Sequence, residues 1–387
     1  DPSGRWLAAY GYDGKSRLWD CAKRSVVLVL DGHAQYFSTS GDRLAFRSYD
    51  RLGLWEVKLD DVVWHQADHR TRELDVDTVS FLCDDRWLAV AGPHGCDIWE
   101  VELRRQILQL RGTNFSDIIS VSGQESMLVA CQQGLFIVAY QELERVSGRG
   151  SDEIEFPSPS IAARRLPLPD NEIPKLVASS QDGAVIGVTT ASGGVGVILA
   201  ETQWEWLAKP GASFLYLAVS SDGRFLASAE KNNPQTVLWQ LAPSQNHWDL
   251  STGEGGCVAF TEADNQTILV AGRHMHYHCW RLEVGTRPID LFSIARPSGY
   301  QKSVVATAHD FALAVAPDRN TTRLVDPRDG TPYITLVDGY QSDRTIQLGF
   351  DAQHRHLAVA LGPQGFAVWD LQRLQTELQQ VGLPFIP

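Results

Sequence analysis

Residues 356–370 read HLAVALGPQGFAVWD. Two short runs of small and β-tolerant side chains, His356–Ala360 and Phe366–Asp370, flank a Gly-Pro-containing turn, and the second run ends on Trp369 and an acid. This is the pattern of an antiparallel hairpin of short strands. It recurs along the chain. First runs of the same kind are WLAVA (87–91) and FLASA (225–229). Second runs are SRLWD (16–20), LGLWE (52–56), CDIWE (96–100), LFIVA (135–139), VGVIL (195–199), TVLWQ (236–240), HCWRL (278–282), TRLVD (322–326) and FAVWD (366–370).

The anchors of these second runs are Trp19, Trp55, Trp99, Val138, Ile198, Trp239, Trp280, Val325 and Trp369. They are separated by 36, 44, 39, 60, 41, 41, 45 and 44 residues. Four short strands per 40–45 residues is the period of a β-propeller blade. A four-stranded sheet buries neither face alone, and radial stacking buries both. The expected fold is therefore all-β, a propeller of four-stranded antiparallel blades with about nine repeat units. A short C-terminal helix over 371–381 is expected as well, because Leu371, Leu374, Leu378 and Val381 share one helical face that Gly382 and Pro384 end.

DGKSRLWD at 13–20 and Asp31-Gly32-His33, placed 22 residues before Trp55, resemble the signature of the WD40-repeat family. Ser221-Asp222-Gly223-Arg224 is similar to that family's hairpin between the two inner strands, and Asp338-Gly339-Tyr340 stands where the Gly-His dipeptide would. The resemblance covers essentially the whole chain. It is specific at Trp19, Trp55, Trp99, Trp239 and Trp369, and degenerate at Val138, Ile198 and Val325. It implies that Asp13 with Trp19, and His33 with Trp55, are fragments of the family's hydrogen-bonded tetrad. The C-terminal helix after a last WD motif resembles WD-repeat regions attached to bacterial serine/threonine kinases and other signalling proteins.

Nine anchors leave ring closure open. One domain organisation is a single propeller region over 1–387. The alternative is a seven-bladed ring over 61–387, closed by the outer-type strand Asp61–Gln66, with 1–60 belonging to a preceding propeller. Residues 147–174 form a Pro-rich insert between blades, with five prolines that exclude central strand pairing. It reads as a long solvated loop or as a partner-binding loop.

The chain has 387 residues and a formal net charge of −13. An acidic chain lacks the basic field that phosphate backbones need, so nucleic acid is not an expected partner. No stretch approaches 18 apolar residues, so no membrane insertion of this segment is expected. Six scattered cysteines without a CxxC motif predict reduced, mostly buried thiols and a cytoplasmic setting. The opening DPSGRWLAAY has neither Met nor a signal-peptide pattern, which reads as a piece of a longer or trimmed protein.

Catalytic motifs are absent from the sequence: there is no HRD or DFG kinase set and no GxSxG elbow. Ser192-Gly193-Gly194-Val195-Gly196 joins two strands and reads as a hairpin turn rather than a phosphate loop. His276 and His278, in HMHYHC, point to one face of a strand, about 7 Å apart, with no third metal ligand placed by sequence. No catalytic residue, metal or cofactor is assigned. The expected function is a non-enzymatic protein- or peptide-binding scaffold, the interaction or sensor region of a larger signalling protein. The alternative is a propeller enzyme or metal-binding protein. The partner-binding candidates are Tyr12, Tyr49, His94, Asn232, His274 and Arg319, all in turns between second and third strands. In WD propellers such turns line one face of the disc. Oligomeric state is left open.

Overall fold

The computed structural model of the chain describes residues 1–380 other than 3, 13–14, 22–24, 32, 39–42, 49–50, 57–62, 67–76, 84, 94, 113, 122–123, 148–152, 212–213, 231–234, 243–245, 252–256, 264–265, 274–275, 296–304, 309–311, 319–320, 327–328, 330, 338–346, 352 and 362–364. Short strands dominate, and the described residues hold two helices. The first meander comprises β1 (Trp6–Tyr10), β2 (Lys15–Asp20) and β3 (Ser25–Asp31). The second comprises β4 (His33–Phe37), β5 (Arg43–Ser48) and β6 (Arg51–Glu56), and β7 (Val63–Gln66) follows it.

From there four-strand units succeed one another. They are β8 (Thr78–Leu82), β9 (Trp87–Gly92), β10 (Gly95–Glu100) and β11 (Arg105–Arg111); then β12 (Phe115–Val121), β13 (Ser126–Cys131) and β14 (Gly134–Ala139), followed by α1 (Tyr140–Ser147), β15 (Glu153–Glu155) and β16 (Ala163–Arg165). Next come β17 (Pro174–Ser179), β18 (Val185–Thr190), β19 (Val195–Leu199) and β20 (Gln203–Ala208), and β21 (Phe214–Val219), β22 (Phe225–Glu230), β23 (Gln235–Gln240) and β24 (Asn246–Ser251). After these stand β25 (Val258–Ala263), β26 (Gln266–Arg273), β27 (His276–Leu282) and β28 (Ile289–Ala295), and β29 (Val305–Ala308), β30 (Ala312–Asp318), β31 (Thr321–Val325) and β32 (Pro332–Val337). The last unit is β33 (Gln347–Phe350), β34 (His356–Ala360) and β35 (Phe366–Asp370), and α2 (Leu371–Gln380) follows.

This is an all-β propeller, but the expectation of about nine units is corrected. Among the described residues six discrete blades of four or five strands are present: β8–β11 with β15, β12–β14 with β16, β17–β20, β21–β24, β25–β28, and β33–β35 with β7. The unit β29–β32 is also a meander. Its strand β32 pairs with β3 at Leu28↔Leu336, so it belongs to a seven-stranded sheet ordered β1-β2-β3-β32-β31-β30-β29. The reason for the overcount is physical. A Trp anchor marks a third strand, not a complete blade. Trp19 and Trp55 sit in the three-strand meanders β1–β3 and β4–β6, and β7 pairs with β35 instead of with β6.

Apolar clusters fill the wedges between blades. Trp99 lies between β8–β11 and the last blade, edge-on to Phe366 at 5.6 Å. Trp239 meets Phe214 at 6.5 Å, Trp280 packs between β21–β24 and β25–β28, and Trp369 is fully buried. The degenerate anchors Val138, Ile198 and Val325 are equally buried. Trp19 is only half-buried. The side chains of Trp55 and His33, and all of Asp13, lie outside the described residues, although Trp55 and His33 have strand backbone.

The described part of the Pro-rich insert is a packed strap, not a solvated loop. Strand β15 adds in parallel to the outer edge of β11, and β16 then completes the next blade. Phe156 is buried between Phe115 at 5.9 Å and Phe136 at 5.6 Å. Helix α1 buries Tyr140, Leu143 and Val146 into the same wedge. At the C-terminus α2 buries Leu371 and Leu374 and docks on the last blade, as the sequence predicts.

One turn joins innermost to second strands in three blades. Val185 N–H donates to Ser180 Oγ at 3.0 Å, Phe225 N–H to Ser220 Oγ at 2.9 Å, and His356 N–H to Asp351 Oδ1 at 3.0 Å. In return the Ser180, Ser220 and Asp351 amides donate to the carbonyls of Val185, Phe225 and His356. Gly183 and Gly223 supply φ of +71° and +69°, a left-handed conformation that glycine adopts without strain.

Candidate functional site

Of the six partner-binding candidates the structure describes Tyr12, in the turn between β1 and β2. Tyr12 is fully exposed in the β1–β2 turn. Tyr49, His94, Asn232, His274 and Arg319 lie outside the described residues, although the strands flanking each of them are in place. Connections from an outer strand to the next innermost strand open onto the same end of a sheet as its turn between second and third strands.

The described residues of that end form polar clusters the sequence did not single out. Ser192 Oγ donates to Glu172, 2.8 and 2.7 Å from its two carboxylate oxygens, and meets Thr190 Oγ1 at 2.9 Å. The glycine-rich segment is a turn: Gly193 N–H donates to the Thr190 carbonyl, and Gly193 has φ +86°. Ile173, beside Glu172, is partly exposed. Asn114 Nδ2 contacts Gln132 Oε1 at 3.4 Å across the neighbouring unit. The signal for these residues is their position beside turns, which composition alone does not rank.

Below this end lies Asp117, on the innermost strand β12. Its Oδ1 accepts from Thr78 Oγ1 at 3.1 Å and from Ile118 N–H at 3.0 Å, and its Oδ2 accepts from Val177 N–H at 3.0 Å. One carboxyl thus links three successive innermost strands. A bulge between Phe115 and Asp117 turns the side chain into this position, and Ser116 Oγ donates to the Pro174 carbonyl at 2.9 Å. Burial pushes the carboxyl up to about 6, against the pull of the hydrogen bonds from Val177, Thr78 and Ile118. A similar stitch joins the last blade to the first, where Val79 N–H donates to Gln347 Oε1 at 2.8 Å.

His276 and His278 do share a face, with ring centroids 6.3 Å apart, and His278 stacks on Trp280 at 5.5 Å. Among the described residues, no group of three or more His, Cys, Asp or Glu side chains is arranged to hold a metal ion. Cys279 faces the other way and is buried, its thiol pushed up to about 12 chiefly by burial. No cysteine among the described residues forms a disulfide, and Cys96, Cys131, Cys257 and Cys279 are buried.

The outer-strand aromatics Trp204 and Trp206 pack edge to face at 5.0 Å, over Gly196 of β19 and over Gly194 just before it. Trp248 is half-buried in the adjoining wedge, and the side chain of Trp64 lies outside the described residues. No helix among the described residues is long and apolar enough to cross a membrane. No protein-family model matches the chain, and no curated protein matches it.

Proposed function

We propose that the chain is a non-enzymatic binding platform of the WD40-repeat type, which recognises a protein or peptide on the face carrying the turns between second and third strands. One observation carries this reading: the flat sides of the blades are filled by the inter-blade clusters. The sequence of the turns between second and third strands carries Tyr, His, Asn and Arg, side chains that give both area and hydrogen bonds. Their hairpin bases limit the ordering entropy on binding. The net charge of −13 favours a neutral or basic ligand.

In the same reading β29–β32 counts as a seventh blade, because β29 touches both β25 and β33. Residues 61–387 then form a ring and 1–60 belong to a preceding propeller. The setting is the cytoplasm, as the interaction or sensor arm of a larger signalling protein.

The test is selection of binding peptides from a random library, followed by titration of the best peptide against variants. Alanine at Asn232 or Arg319, both within the 61–387 ring, is expected to weaken binding at least about tenfold, the size of a hot-spot loss. Binding that survives these changes and is lost with Trp248→Ala places the interface on the rim and overturns the proposal. The second reading, a metal-binding or catalytic propeller, has the His276–His278 pair in its favour. An equivalent of transition metal in the purified protein, lost on His276→Ala, would establish it.

A further inference from the structure

Residues 1–6 repeat the turn that joins innermost to second strands elsewhere. Trp6 N–H donates to Asp1 Oδ1 at 2.6 Å, and the Asp1 nitrogen donates to the Trp6 carbonyl at 2.8 Å. The five-residue spacing and the atom pairing are those of Ser180 with Val185, Ser220 with Phe225, and Asp351 with His356. Gly4 has φ +71°, and its N–H donates to the Asp1 carbonyl, as Gly183 does to Ser180 and Gly223 to Ser220. Asp1 therefore takes the part of Ser220 in this turn, and Trp6 that of Phe225.

Strand β1 is then a second strand, and its exposure is abnormal for one. Strands β9 and β13 are buried at every position, and β22 at all but its last. In β1 only Trp6 is buried, while Leu7 is 54% and Tyr10 49% exposed. In the six blades the corresponding edge is covered by an innermost strand. Among the described residues β1 ends a seven-stranded sheet, and β4 approaches it without pairing. The Arg5 carbonyl accepts from Cys21 N–H, and Gly11 N–H donates to the Lys15 carbonyl. Antiparallel alternation then points the backbone groups of Leu7 and Ala9 at β2, and those of Ala8 outward.

We propose that the outer edge of β1 is the docking site of one further antiparallel strand of the innermost type, laid against β1 as β21 is laid against β22. The chemistry is strand addition: backbone hydrogen bonds with Ala8, and apolar side chains laid beside Leu7. The chain's own blades show the occupant, four to seven residues such as the wholly apolar Phe214–Val219 ahead of Ser220. The proposal is independent of the peptide-binding face.

The test fuses FLYLAV, a copy of Phe214–Val219, directly before Asp1 of the 387-residue chain, with a Gly-Ser hexapeptide fusion as control. Amide exchange at Ala8 is read by fragmentation mass spectrometry, and the extension is challenged with thermolysin. The strand fusion is expected to slow Ala8 exchange at least about tenfold over the control and to resist cleavage. Ala8→Pro removes the outward N–H at a position where an edge strand tolerates proline, so it is expected to expose the extension to cleavage while the chain stays folded. Equal exchange in the two fusions overturns the proposal. So does protection of Ala8 in the unextended chain together with concentration-dependent dimerisation, which would make a second copy the occupant.

Discussion

The indole of Trp204 occupies the space a side chain on Gly196 would need, since a Cβ there would lie 2.2 Å from Trp204 Cζ2. Gly194 stands in the same relation to Trp206, again at 2.2 Å. Gly194 and Gly196 are therefore packing residues as much as turn residues. Gly196→Ala is expected to cost about 1–3 kcal/mol, the range for overpacking. Trp204→Leu in the same chain should recover part of it. Urea unfolding checks this, and an unchanged midpoint for Gly196→Ala would contradict the relation.

The anchors differ in burial and should differ in cost. Trp369 is fully buried and Trp99 nearly so, and alanine at either is expected to cost about 3–5 kcal/mol. Trp19 is half-buried, so its replacement should cost about 1–2 kcal/mol. Thermal unfolding of the three variants ranks them. Equal losses would mean that Trp19 is as enclosed as the blade anchors.

Asp117 gives stability a pH dependence of definite sign. Its folded pKa, about 6, lies above the unfolded value of 3.8, so the fold favours the protonated acid. The contribution is fully present below about 4 and is lost as pH rises through about 6, by about 3 kcal/mol in total. Asp182, whose carboxyl the Ser180 hydroxyl holds below the usual range, acts in the opposite sense and at lower pH. Subtracting the urea midpoints of Asp117→Asn from those of the parent between pH 4 and 7 isolates the effect. A parallel pair of curves would refute it.

The strap between the first two blades should behave as core. Phe156→Ala is expected to cost about 3–5 kcal/mol, because it empties the site between Phe115 and Phe136. Residues 153–166 should resist limited proteolysis in the parent and become sensitive in the variant. Rapid cleavage there in the parent would restore the loop reading.

Strand positions were legible because alternation and Gly-containing turns are local signals. Even Val138, Ile198 and Val325 stand in third strands, where the period puts them. Blade number was not legible, because it depends on pairings between distant segments, such as Leu28 with Leu336 and Phe366 with Gln66. The strap was missed because EIEF is too short to show a period, and its burial depends on Phe115 and Phe136. The links from Asp117 to Thr78 and Val177 cross two blade boundaries, and no spacing announces them. Of the proposed face, the structure describes Tyr12 among the six residues chosen from sequence.

Val63 lies opposite Trp369, 306 residues later, in the sheet of the last blade. A strand made early is thus the partner of one made some 306 residues later. At about 5–20 residues per second, roughly 15–60 s separate the two on the ribosome. For that interval β7 has no partner, and when β35 emerges its edge is open until β7 is captured. Closing so long a loop also makes this pairing slow. The edges of β7 and β35 are therefore open to strand exchange between nascent chains until the two strands pair.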